Sequence, residues 1–233
     1  MRCSPLNAAL AFSFTSVVFM KIIEYLKSFN RKERFHLVGQ LLGNSEFNLD
    51  PNVLRKILDL LQLDTPTCYF SAMDYHLDWI YASLDLAFNY GYEPKLRDYA
   101  CISATQEDVD FILAFVDDSG NTHIIMIEAK GDTTFTNKQL QSKASRLSAI
   151  FGKNNEKWVN VRPHFLICSP VKPTQLKTEN IPSFMLNKEN NNFNWFSLYM
   201  PENQRKVTRC HSNGEASVAG QFWKVDTLRR SKS

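Results

Sequence analysis

The chain has 233 residues, of which 44% are hydrophobic, so it can bury a core without disulfides or a structural metal. Its 27 Lys and Arg residues nearly balance 24 Asp and Glu residues, and bulk charge therefore does not by itself predict a polyanionic partner. Five scattered cysteines without C-x-x-C spacing argue against zinc and disulfide frameworks and favour a reducing, cytoplasmic setting. The sequence also lacks a phosphate-binding glycine loop, a metalloprotease helix and a nucleophile elbow.

Residues 1–19 are interpreted as an apolar N-terminal extension. Leu6 to Met20 imitates the hydrophobic part of a signal peptide, but it is short for a membrane span, which needs about 20 apolar residues. Met20 begins a segment suited to a translation start, which favours residues 1–19 not being native. A signal or membrane anchor is the alternative. We expect no stable membrane association.

Residues 20–65 are predicted to contain a helical hairpin. Lys32 to Leu42 carries Phe35, Val38 and Leu42 on one face, and Asp50-Pro51 supplies an N-cap and a first-turn proline for a second helix. We expect the pair to pack on the core. A DNA-reading helix-turn-helix is the alternative, although the connection is longer than the turn of that motif.

A core domain is predicted over residues 70–172, beginning with a helix and a strand. Asp74 to Asn89 has apolar residues at helical spacing, and Tyr99 to Ser103 is predicted as the first strand. Asp78 and Asp85 fall on one face of this helix.

Two strands joined by a tight turn carry the most informative side chains. Val109 to Val116 and His123 to Lys130 flank a turn-forming stretch that begins at Asp117. If Val116 pairs with Thr122, residues whose numbers sum to 238 face each other. Asp110 then lies opposite Glu128 and Asp108 opposite Lys130, while Glu128 and Lys130 share a face because side-chain direction repeats every two residues. The two facing carboxylates suit a shared Mg²⁺ ion.

A helix, a strand and a C-terminal extension complete the predicted elements. Leu140, Ala144, Leu147 and Phe151 recur at helical spacing, with Thr136 or Asn137 as the N-cap. Phe165 to Cys168 is then a buried strand parallel to its predecessor. Residues 190–228 are predicted to form a β extension packed on the core, in three short strands: Phe193 to Met200, Lys206 to Cys210 and Gln221 to Val225.

The order of these elements resembles the PD-(D/E)XK restriction-endonuclease-like superfamily. The resemblance covers roughly Tyr75 to Pro170 and is carried by Asp110, by Glu128-x-Lys130 on the next strand, and by a following helix with Gln139 and Lys143. Val109 stands where the family usually has Pro. The resemblance implies an α/β fold with a mixed central sheet and an αβββαβ core.

The resemblance also implies metal-dependent hydrolysis of phosphodiester bonds, with DNA as the expected substrate. In that mechanism Asp110, Glu128 and the Ala129 carbonyl hold Mg²⁺, for which Mn²⁺ can substitute, and Asp78 on the preceding helix helps to hold a second cation. Lys130 orients or deprotonates the attacking water and Gln139 positions water or phosphate. The nucleic-acid backbone is contacted by Lys138, Lys143 and Arg146. A homodimer is compatible with this scheme.

Local charge supports a polyanionic partner, because residues 130–162 hold seven basic and two acidic residues. Simpler interpretations stay open: Lys130 as an ordinary strand-end lysine, and Asp78, Gln139, Lys143 and Arg146 as parts of solvated helix faces. The alternative function is a non-catalytic nucleic-acid-binding or scaffolding protein that retains the fold. The choice between DNA and RNA is open.

Overall fold

A five-stranded mixed sheet forms the centre of the computed structural model, which describes residues 14–90, 96, 101–103, 107–201 and 203–227, the side chains of 14–19 and 90 excepted. The strands lie side by side in chain order: β1 (Phe70–His76), β2 (Asp108–Val116), β3 (Thr122–Ala129), β4 (Val161–Ser169) and β5 (Asn194–Ser197). β2 is antiparallel to both of its neighbours, whereas β3, β4 and β5 run parallel. The predicted α/β class with a mixed central sheet is confirmed.

The β2–β3 hairpin has the register predicted from the sequence. Val116 pairs with Thr122, and the ladder runs to the pair Phe111 and Ile127. The turn is closed by Asp117, whose backbone N–H donates to the Asn121 carbonyl at 2.9 Å, and Gly120 adopts a φ of 79°, which favours glycine. The ladder stops one residue before Asp110 and Glu128, so these two residues lie where the strands are no longer joined by paired backbone bonds.

Helices cover both faces of the sheet. One face packs against α1 (Phe14–Phe29), α4 (Leu77–Asp85) and α5 (Asn137–Phe151) through a single buried cluster that includes Leu26, Leu84 and Leu147. The other face packs against α3 (Pro51–Leu61) through a second cluster that includes Ile57 and Leu58. The sheet is therefore the middle of three layers, and its central strands are buried on both sides.

The predicted first strand is wrong. Cys101 to Ser103 form no strand, and residues 99 and 100 lie outside the described residues. The first strand is β1, and α4 follows it, beginning at Leu77 and continuing as a π-helical turn over Leu86–Tyr90. The sequence pattern does not indicate β1 because Asp74, which has a φ of 50°, interrupts the alternation of side chains in this strand.

The N-terminal helical pair is found as α2 (Glu33–Leu41) and α3. Asp50 caps α3 as predicted, since its Oδ1 accepts from the Asn52 and Val53 backbone N–H groups at 2.9 and 3.2 Å. The apolar side of α3 packs on the sheet, as expected for a packing role.

The C-terminal strands divide between two sheets. β5 extends the central sheet, whereas β6 (Arg205–Cys210) and β7 (Phe222–Thr227) pair with each other in a separate two-stranded antiparallel hairpin. Over the ranges that the structure describes, no helix combines the length and the apolar content of a membrane span.

Candidate active site at the end of the β2–β3 hairpin

The Glu128 carboxylate is the centre of the candidate site. Its Oε1 accepts from Lys130 Nζ at 3.2 Å and from Gln139 Nε2 at 3.0 Å, while its Oε2 accepts a short hydrogen bond from Lys143 Nζ. Glu128 is only 4% exposed, so its charge is stabilised by these donors rather than by bulk water. Of the four residues predicted to be catalytic, Lys130 and Gln139 thus bond to the carboxylate of a third, Glu128.

Asp110 is the fourth, and it lies beside Glu128 in the part-buried gap between the strands. Its Oδ2 accepts from the Ala129 backbone N–H at 2.6 Å. Burial raises the pKa of Asp110; the Ala129 N–H opposes that rise and the Glu128 charge adds to it. Asp110 and Glu128 therefore repel each other across a poorly hydrated gap, as the predicted register implied.

The start of α5 positions Gln139 and Lys143. The Thr136 hydroxyl accepts from the Gln139 backbone N–H at 3.2 Å, which fixes the first turn as predicted. Gln139 and Lys143 are four residues apart and so project from one side of the helix. Both side chains end at Glu128.

Lys143 is not on a solvated helix face. It is 4% exposed, and besides the Glu128 bond its ammonium donates to the Asp108 carbonyl at 2.6 Å. The long aliphatic stem lets the charge reach through the apolar layer to the strands. This burial removes Lys143 from the surface on which a backbone contact to nucleic acid was predicted.

The acids before Asp110 have other partners than predicted. Asp108 lies opposite His76 on β1, and its carboxylate is 3.8 Å from Lys32 Nζ rather than bonded to Lys130. Glu107 belongs to the same charge cluster, although sequence reasoning gave it no role. Burial raises the pKa of Glu107, Lys143 and Arg146 oppose the rise, and Glu128 adds to it.

Asp78 and Arg146 form an ion pair with each other. The Arg146 guanidinium makes short hydrogen bonds to Asp78 Oδ1 and to the Cys101 carbonyl. Asp78 also accepts from the Ser103 backbone N–H at 3.2 Å. These contacts join α4, α5 and the segment at 101–103, whereas Lys138 is exposed on α5.

A cavity of about 640 Å³ adjoins the site where β3 and β4 end. It lies between the loop after Lys130 and the loop after Ser169, and it is bounded by the first turn of α5. Lys130 directly precedes Gly131, which lines this cavity, and its ammonium is 5.9 Å from the centre of the Phe135 ring, which also lines it. Met200 packs over Gly131, its Cε 3.0 Å from the position that a Cβ there would take.

The donor chemistry at this end of the hairpin fits a single hard divalent cation. No group of three His, Cys, Asp or Glu side chains able to hold a metal occurs among the residues with described positions. Mg²⁺, however, is commonly held by one or two carboxylates and keeps several waters. Asp110 and Glu128, together with the Ala129 carbonyl, provide that minimal set. A cation bound between the two carboxylates would relieve their mutual repulsion.

In comparisons with known proteins, no family model matches this chain and no curated protein matches its sequence.

Proposed function

We propose that the protein is a metal-dependent nuclease that hydrolyses phosphodiester bonds, with DNA as the expected substrate, and that its core is of the PD-(D/E)XK restriction-endonuclease-like kind. The observation that carries this proposal is that Lys130 and Gln139 bond to the buried Glu128 carboxylate, whose charge also acts on the neighbouring Asp110. The parallel β3–α5–β4 unit and the antiparallel β2–β3 hairpin support the core assignment.

Asp110, Glu128 and the Ala129 carbonyl would hold Mg²⁺ or Mn²⁺. When bound, the ion would offset negative charge that develops on the phosphate and lower the pKa of a bound water. Lys130 is bonded to Glu128 and directly precedes the cavity-lining Gly131, so it would orient the attacking water and stabilise charge on the phosphate oxygens. Gln139 holds Glu128 in place through the 3.0 Å bond to Oε1.

The buried Lys143 is the observation that favours the second candidate, a non-catalytic nucleic-acid-binding or scaffolding protein. Its ammonium already neutralises Glu128. If that ion pair persists whenever a divalent cation is offered, Glu128 is a structural residue and the cavity is at most a binding site. The two candidates therefore differ in whether Glu128 shares its oxygens with a metal.

Two measurements test the proposal. The first follows cleavage of supercoiled plasmid and of labelled single-stranded DNA in Mg²⁺ or Mn²⁺, comparing wild type with Asp110→Asn and Lys130→Met. We expect each variant to lose about 100-fold or more in rate, because general acid–base and electrostatic groups contribute about that much. The second is calorimetric titration with Mn²⁺, which we expect Asp110→Asn to abolish and Lys130→Met to preserve.

Asp118→Asn is the matched control, because Asp118 is an exposed acid in the turn of the same hairpin. It should cleave and bind Mn²⁺ as wild type does. A wild-type protein that binds DNA but cleaves no substrate with either metal, and takes up no Mn²⁺, would establish the non-catalytic candidate instead.

A further inference from the structure

The β6–β7 hairpin carries an exposed face that combines aromatic, aliphatic and basic side chains. In its register Val207 pairs with Val225 and Arg209 pairs with Trp223, so these residues and Arg205 lie on one face. Trp223 is 70% exposed and Val207 is 69% exposed. Phe222, on the opposite face, is 55% exposed, so both faces of the hairpin expose large apolar side chains.

Exposure of this kind is costly for a two-stranded sheet. An isolated hairpin is marginally stable in water, and a large exposed apolar surface commonly marks a binding site. Contacts near the end of β6 stabilise the hairpin: Arg209 Nε donates to the Gly220 carbonyl at 2.5 Å, and Cys210 is buried. The backbone of Trp223 belongs to the ladder, whereas its side chain is 70% exposed and available to a partner.

The charge of the hairpin indicates an anionic partner. Its two strands carry four basic residues, Arg205, Lys206, Arg209 and Lys224, against the single acid Asp226. A basic strand pair with an exposed aromatic ring is what single-stranded nucleic acids bind, since bases stack on the ring while phosphates contact the cations. An anionic membrane surface would also attract basic residues and tryptophan, but the position of the hairpin favours nucleic acid.

The segment that leads into the hairpin passes the candidate site. The Leu198 backbone N–H donates to the Ser169 carbonyl at 3.1 Å, and Met200 covers Gly131, the residue after Lys130. Arg205 follows Met200 by five residues, which span at most about 18 Å when fully extended. A strand of nucleic acid whose scissile phosphate lies at Lys130 would therefore have its neighbouring nucleotides within reach of the hairpin.

We propose that the β6–β7 hairpin binds single-stranded nucleic acid next to the candidate site, with Trp223 as the surface on which a base stacks and Arg205 and Arg209 as phosphate contacts. The inference rests on the proposed function, because it names the form of substrate strand that the site receives. Binding does not require cleavage, so the two proposals fail separately.

The test is fluorescence anisotropy of a labelled single-stranded 20-nucleotide DNA in EDTA, where no metal-dependent cleavage occurs. Trp223→Ala should weaken binding roughly 5- to 150-fold, and Trp223→Phe, which keeps a ring, should recover part of the loss. Arg205→Gln should lower the slope of log affinity against log salt by about 0.7. Arg55→Gln, an exposed arginine on α3, is the charge-matched control and should leave affinity unchanged.

Equal binding by wild type and Trp223→Ala, or no binding by wild type, would overturn the inference. So would hairpin-dependent binding to anionic lipid vesicles, or hairpin-dependent self-association, without affinity for DNA. Hairpin-dependent DNA binding by a protein that cleaves nothing with Mg²⁺ or Mn²⁺ would sustain the inference and refute the nuclease proposal. Unchanged melting temperatures of the variants establish that they fold.

Discussion

The Lys143 ammonium and the Glu128 carboxylate form an ion pair in which each side chain is only 6% exposed. The pair joins α5 to β3, and the second bond from Lys143, to the Asp108 carbonyl, adds β2 to the same connection. A buried pair of this kind is expensive to form but far more expensive to break on one side, because the remaining charge stays in a poorly solvated place.

Lys143→Met should therefore destabilise the fold by about 3 kcal/mol, since Glu128 loses its most buried donor. The free energy of unfolding in urea measures this. The double variant Lys143→Met, Glu128→Gln should recover much of the loss because no unpaired charge remains. Lys138→Met, at an exposed position of the same helix, should change stability by no more than about 0.5 kcal/mol. A loss below about 1 kcal/mol for Lys143→Met would contradict a buried, charge-bearing pair.

Gln139→Ala should weaken Mn²⁺ binding about 10-fold while leaving the fold intact. The reason is that Gln139 Nε2 fixes Glu128 Oε1 at 3.0 Å, and groups that orient a metal ligand commonly contribute this much to affinity. Titration calorimetry gives the dissociation constant. Gln141→Ala is the control, because that side chain is on the same helix but donates to the Glu179 carbonyl. Equal affinities for the two variants would show that Gln139 does not position a ligand.

The sequence predicted the hairpin and its register because five turn-forming residues separate two apolar runs. A shift of the pairing by one residue would turn every side chain of one strand to the opposite face of the sheet. That register places Asp110 beside Glu128. The start of α5 could also be predicted from the sequence, because a Thr three residues before Gln139 is a local capping signal.

Other features depended on tertiary contacts that local patterns do not encode. Lys143 has the spacing of a surface residue, and only the approach of β2 and β3 turns it into a buried partner of Glu128. β1 was missed because Asp74 breaks its alternation and pairs instead with Arg34 of α2 at 2.9 Å. Local patterns give Glu107 no role, although its position in the cluster Glu107-Asp108-Val109-Asp110 is a usable signal.

Asp78 and Arg146 should behave as a coupled structural pair. A double-mutant cycle with Asp78→Asn and Arg146→Gln, followed by urea unfolding, should give a coupling free energy of about 1–3 kcal/mol, because the two side chains share a part-buried hydrogen bond. Additive losses would show that the pair contributes no stability of its own. Mn²⁺ titration of Asp78→Asn separately tests the sequence prediction that Asp78 holds a second cation.

His164 should make the protein sensitive to mild acid. Its Nε2 is 3.0 Å from His123 Nδ1, and His123 Nε2 is in turn 3.0 Å from Asp117 Oδ2. Burial lowers the pKa of His164 to about 3, and the nearby His123, Lys188 and Arg162 charges act in the same direction. The unfolded chain, with an ordinary pKa near 6.5, therefore binds a proton between about pH 6.5 and 3 that the folded protein does not bind.

His164 therefore imposes no penalty on the fold above about pH 6.5, and it destabilises the fold as the pH falls below that value, at up to about 1.4 kcal/mol per pH unit. His164→Gln should flatten the fall in unfolding free energy between pH 6.5 and 4 by about 1 kcal/mol per unit, measured by urea unfolding across that range. His211→Gln, at an exposed turn, should leave the slope as in wild type. Identical slopes for wild type and His164→Gln would mean that His164 accepts its proton in the folded state, with the Asp117–His123 pair accommodating the charge.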